Sequence, residues 1–211
     1  MHIPINPLKQ GEKDCTLTCI MMLLNFYGFN LTKDEIERSI HRTPEGHIYM
    51  VNVARFFGSL GLSVDCFSYN LCYTGPQNAK LARSQFIRVL EKEHSTITDI
   101  WLKERLEATI EALKEGVNYV FQKPTRETMT SYLEKGIPLL VAVNPCALRN
   151  EQGDIYRGHD IILTGVESNI VYYIDPLKGR ECKISFEDLM FVILARKIIE
   201  TSAYMVGVKI V

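Results

Sequence analysis

Apolar positions along this 211-residue chain follow a helical period in the first half and a strand period near the end. From Thr16 to Tyr27 nearly every residue is apolar. Leu17, Ile20, Met21, Leu24 and Tyr27 share one helical stripe, with Cys19 and Leu23 beside it. A segment apolar almost all round predicts a buried central helix, and Gly28 stands where a C-cap is needed. Thr32-Lys-Asp-Glu35 has capping-box spacing and predicts a short helix to about Ile40. A further helix is predicted from Val51 to Leu60, ending at Gly61, and the alternation over 62–69 predicts a strand. After Gly75-Pro76 come two charge-rich helical stretches, about Ala79–Glu93 and Asp99–Lys114. Trp101, Leu102, Leu106, Ile110 and Leu113 recur there at helix spacing. That pattern predicts packing against the main domain, so residues 71–131 read as a helical insertion.

Residues 1–9, with two prolines, read as an extended lead-in, and Thr125–Lys135 as a short helix stopped by Gly136 and Pro138. Strands are predicted at Leu139–Asn144, His159–Val166, Ile170–Asp175, Lys183–Ser185 and Ala203–Val211. Ser168-Asn169 makes the tight turn of an antiparallel hairpin. Helices first and a largely antiparallel sheet last define an α+β fold, read here as a single domain over 1–211.

Composition narrows the function classes. Formal net charge is −1, which offers no basic surface for nucleic acid or an anionic membrane. No apolar run approaches the roughly 20 residues of an integral membrane segment. The N-terminal residues lack a signal-peptide pattern, so the expected location is cytoplasmic. Six cysteines (15, 19, 66, 72, 146 and 182) are scattered without CxxC pairs, which fits mostly reduced thiols. Cys15 and Cys19 lack a second close pair to complete a zinc site, and no Gly-rich phosphate loop is present. Neither a metal nor a cofactor is expected, and the sequence assigns no oligomeric state.

The chemistry begins at Cys15, which opens the apolar helix five residues after Gln10. The first N–H groups of a helix lack intrahelical partners, and the macrodipole adds partial positive charge there. Both favour thiolate over thiol. The same N–H groups, with the Gln10 amide, can donate to an oxyanion. Cys19, inside the helix, reads as a small buried hydrophobe. The base comes from the hairpin. His159 begins its first strand and Asp175 closes its second, so the two lie at the same end of the ladder. An Asp there can fix the imidazole tautomer and leave the other nitrogen to take a proton. His41 and His47 are weaker candidate bases, because no orienting Asp stands near them.

These motifs resemble those of the papain-like cysteine peptidases of the bacteriocin-processing, double-glycine-leader type and their stand-alone relatives. The matching residues are Gln10, Asp14-Cys15, Tyr27-Gly28, Gly158-His159, Ile161–Gly165 and Asp175-Pro176. The resemblance covers about 8–70 and 125–211. It implies a papain-like fold, with N-terminal helices packed on a C-terminal antiparallel sheet, and a peptide or amide substrate. It further implies Cys15 as nucleophile, His159 as general base and acid, Asp175 as orienter and Gln10 in the oxyanion hole. One departure is Thr16, where that family usually has Gly after the cysteine. The expected activity is a cysteine peptidase. An acyltransferase or amidase with the same triad, or an inactive peptide-binding relative, are the alternatives.

Overall fold

A computed structural model describes residues 2–43 and 46–210; Met1 of the predicted lead-in and Val211 of the predicted last strand lie outside the described residues. Among the described residues the helices are α1 (Cys15–Phe26), α2 (Lys33–Ser39), α3 (Met50–Ser59), α4 (Arg83–Thr96), α5 (Ile100–Lys114), α6 (Arg126–Glu134), α7 (Pro145–Arg149) and α8 (Phe186–Leu194). The strands are β1 (Ser63–Ser68), β2 (Asn118–Phe121), β3 (Leu139–Val143), β4 (His159–Glu167), β5 (Ile170–Asp175), β6 (Arg180–Ser185) and β7 (Met205–Lys209). The chain is thus a mixed α+β protein. None of its described helices is long and apolar enough to cross a membrane. It divides into two compact units, one built from 1–48 and 124–196 with Ile210, the other from 49–123 and 197–209.

The first unit is an antiparallel run of strands, β3-β4-β5-β6, with α1, α6 and α8 packed on it. Consecutive residues Leu139–Val141 and Ile161–Leu163 are fully buried. A strand covered on one face alternates, whereas these are buried on both. α1 contributes Leu17, Cys19, Ile20, Met22, Leu23 and Leu24 to this core, as its all-round apolar sequence requires. The β4–β5 turn is Ser168-Asn169, with Ser168 in the left-handed region at φ +53°. The Thr32–Glu35 capping box forms in full at the start of α2. Two elements were not read from the sequence. One is the short α7; the other is α8, whose N-terminus is capped by the Ser185 hydroxyl accepting from the Asp188 N–H.

In the second unit β1 pairs parallel with β2 and antiparallel with β7, and α3 packs on β1 and β7. α4 and α5 share an apolar cluster of Tyr73, Phe86, Leu90, Leu106, Ile110 and Leu113, with Leu102 at its margin. The predicted α5 stripe is therefore occupied in packing against α4. Trp101 is the exception and stays 42% exposed. The stretch 71–131 is also not purely helical, since it contains β2.

Candidate active site

Cys15 is the first residue of α1 and is half-buried. The chain enters the helix through Lys13 at φ +58° and Asp14 in the N-cap position, but the Asp14 side chain makes no capping bond. Its carboxylate is drawn to Lys33 Nζ, at 2.6 Å, and towards Arg42, at 3.6 Å. The free N–H groups at the start of α1 are therefore not consumed by a side-chain cap.

The position of Asp175 follows from strand register. From the turn, Glu167 faces Ile170, Val166 faces Val171 and Gly165 faces Tyr172. The register then shifts at Thr164, so that Leu163 faces Tyr173 and Ile162 faces Ile174. Continuing that register sets Ile161 opposite Asp175, and His159 is two residues from Ile161, hence on the same face. An unbroken ladder would have set Ile162 opposite Asp175 and turned the carboxylate to the face of Asp160. One extra residue, accommodated as a β-bulge, thus brings imidazole and carboxylate together. The bulge is held from outside: the Ile3 N–H donates to the Thr164 carbonyl at 2.7 Å, and His2 bridges to Gly165.

His159 Nε2 lies 2.8 Å from Asp175 Oδ1, with both side chains buried. Asp175 Oδ1 also accepts from the Leu177 N–H at 2.9 Å, and its carbonyl accepts from the Gly179 N–H at 2.9 Å. The carboxylate is therefore fixed by the Asp-Pro turn as well as by the ring. With Nε2 committed to Asp175, Nδ1 is the nitrogen left for the thiol. Burial works against a charged imidazole. Hydrogen bonds to Asp175 and to Cys15, with the charges of both, outweigh it and raise the His159 pKa to about 9. Burial likewise pushes the Asp175 carboxyl up, but the hydrogen bond and charge of His159, the Leu177 N–H and the Arg149 charge hold it below its usual range.

Gln10 is half-buried and joins the same turn: its N–H donates to the Pro176 carbonyl at 2.8 Å. Close approach is allowed by Gly179, at φ +61°, where a Cβ would lie 2.8 Å from Lys9 Cβ. Gln10 Oε1 is buried without a hydrogen-bond partner. Cys19 is fully buried, and burial pushes its thiol pKa well up, which leaves it inert as a nucleophile.

The structure also gives a partner to Thr16, named from the sequence only as a departure, and brings in Asp160 and Arg149, to which the sequence reading gave no role. The Thr16 hydroxyl donates to Asp160 Oδ2 at 2.5 Å, and the Arg149 charge bears on Asp175. The visible signal for the first was a charged residue heading an otherwise apolar strand, Asp160-Ile-Ile-Leu.

A helix-borne thiol beside a strand-borne, carboxylate-bonded imidazole is an arrangement suited to nucleophilic acyl chemistry. Residues 2–190 match the model of the Peptidase C39 like family, and the chain belongs to that family. A solved structure with a similar fold is that of a C39-like peptidase candidate from Bacillus anthracis. Its TM-score is 0.53, with 12% sequence identity over 99% of this chain and 97% of that one. At that identity the likeness is one of fold. No curated protein matches the chain.

Proposed function

We propose that this protein is a cysteine peptidase with a papain-like Cys15–His159–Asp175 triad. The observation that carries the reading is that one buried imidazole bonds Asp175 at 2.8 Å through Nε2 while standing close enough to Cys15 for the thiol to raise its pKa. His159 accepts the Cys15 proton as the sulfur attacks. Cys15 Sγ attacks a peptide carbonyl carbon, and the C–O π electrons move onto oxygen. That oxyanion is stabilised by the uncapped N–H groups at the start of α1 and by the Gln10 side-chain amide. As the intermediate collapses, the C–N bond breaks and the leaving nitrogen takes the proton from His159. Neutral His159 then takes a proton from water, whose oxygen attacks the thioester. Loss of sulfur then releases the acid, and the proton that His159 took from water restores the starting Cys15–His159 pair. Asp175 holds the ring in one orientation throughout.

The substrate is a peptide or another amide. We place the enzyme in the cytoplasm, a compartment in which unpaired cysteines such as these six persist as thiols. The direct test is alkylation of the full chain by iodoacetamide, with sites assigned by peptide mapping. At about pH 6.5, two units below the ordinary thiol pKa of about 8.5, Cys15 labels well ahead of Cys146 and Cys182. Cys15 labelling no faster than those two would sink the enzyme reading and leave a peptide-binding relative.

A further inference from the structure

Thr16 follows Cys15 and Asp160 follows His159, so the Thr16–Asp160 hydrogen bond joins the residues one step along the chain from the proposed nucleophile and base. Asp160 is only 8% exposed. A buried carboxylate needs strong partners to offset lost hydration. Burial pushes its pKa up, and the Thr16 hydroxyl, the His159 charge and the Arg196 charge work against that. The Asp160 carbonyl also accepts from Cys19 Sγ at 3.5 Å. Thr16 and Cys19 are three residues apart and therefore on one face of α1. Hydrogen bonds from that face converge on one residue of β4, through its side chain and through its main chain. On the other flank of His159 stands Gly158, where a Cβ would lie 2.9 Å from the Arg196 guanidinium nitrogens. Chain on both sides of His159 is thus held by contacts that the triad itself does not supply.

We infer that Thr16 and Asp160 are positioning residues: their hydrogen bond latches the start of α1 to the start of β4 and sets the separation of Cys15 and His159. Glycine after the cysteine cannot make this bond, so Thr16 and Asp160 function here as a matched pair. The inference rests on the triad reading above and adds to it the device that fixes its geometry. Displacement of a reacting group by about 1 Å costs on the order of 100-fold in rate, and a hydroxyl lost from a helix start can produce such a shift.

The test compares iodoacetamide labelling of Cys15 across pH in the full-length wild type, Thr16→Val, Thr16→Ser, Asp160→Ala and the Thr16→Val/Asp160→Ala double variant, with melting temperatures measured in parallel. Thr16→Val keeps the side-chain shape and removes the donor. It is expected to slow labelling at about pH 6.5 by roughly 10- to 100-fold and to move the pH profile towards that of Cys146 and Cys182. Thr16→Ser restores the wild-type profile. The double variant is no slower than the slower single one, as expected for two halves of one interaction. Wild-type-like labelling in Thr16→Val overturns the latch and leaves the triad standing, provided that wild-type Cys15 labels early and depends on His159. Failure of Thr16→Ser to restore the profile, or strictly additive losses, also overturns it. If wild-type Cys15 itself labels no faster than the other exposed thiols, the latch and the triad both fall. Should Thr16→Val not fold, Asp160→Ala and the Ser variant give the same readings.

Discussion

Two buried aspartates on strands, one in each unit, contrast a structural carboxylate with the one proposed for the triad. Asp65 on β1 has both oxygens occupied: Asn118 Nδ2 donates to Oδ1 at 2.7 Å and Lys209 Nζ to Oδ2 at 2.5 Å. Its partners come from the neighbouring strands β2 and β7. One of them is a lysine, a residue type whose reference pKa of about 10.4 lies far from neutrality. Asp175 on β5 has one oxygen shared between His159 and the Leu177 N–H, while Oδ2 is buried without a partner. Its partner titrates. A satisfied carboxylate facing a fixed charge contributes stability alone; a partly satisfied one facing imidazole also governs where a proton resides.

Substitutions can break this contrast. The largest effect is expected from His159→Ala: loss of the base should lower peptide-bond hydrolysis by about 100- to 10,000-fold and abolish the early labelling of Cys15, as read by peptide mapping. Asp175→Asn comes next, with a loss on the order of 100-fold or more, because an amide can hold the ring in the wrong tautomer. The pH dependence sharpens this test. Since the folded-state pKa of His159 is raised to about 9, the stability gained from its bonds is complete below the unfolded imidazole value of about 6.5 and is lost as pH rises through 9. The Asp175 contribution, with its pKa depressed, is lost as pH falls below the usual carboxylate range. The melting-temperature gap between wild type and Asp175→Asn should therefore be widest between about pH 4 and 6.5 and should close towards both ends. A flat gap would mean that the pair is not coupled. The smallest effect on chemistry belongs to the other aspartate. Lys209→Met strips Asp65 of its cation and should cost about 1–2 kcal/mol in chemical denaturation, a figure discounted because the Lys209 side chain is one-third exposed. Cys15 labelling should not change.

How much of this was legible in the sequence depended on range. Local signals were sufficient for α1, for the Thr32–Glu35 box and for the Ser168-Asn169 turn, because each is fixed by residues within a few positions. α8 had a comparable signal in Ser185 and Asp188, but its run Phe186–Leu194 is dense in β-branched and aromatic residues and lacks a clear helical stripe. The short β2 exists only through its pairing with β1, which a local pattern does not carry. At the site, Cys15, His159, Asp175 and Gln10 were candidates by type and spacing. The shift at Thr164 that puts His159 and Asp175 on one face was not visible. Nor was the bond between Thr16 and Asp160, whose partners are 144 positions apart in the chain.

The shift at Thr164 also limits how this hairpin can diverge. Six residues of β4 (162–167) face five of β5 (170–174), and the placement of the imidazole and carboxylate depends on that difference. Adding a residue to each arm moves the turn outward and leaves the pair facing each other. Removing one from β5 alone, with the bulge kept, turns the acid to the far side of the sheet. In evolutionary terms the hairpin is free in length and constrained in parity. With the proposed triad under selection, the tip of the hairpin is expected to vary widely, paired insertions to survive and single ones in an arm to be lost.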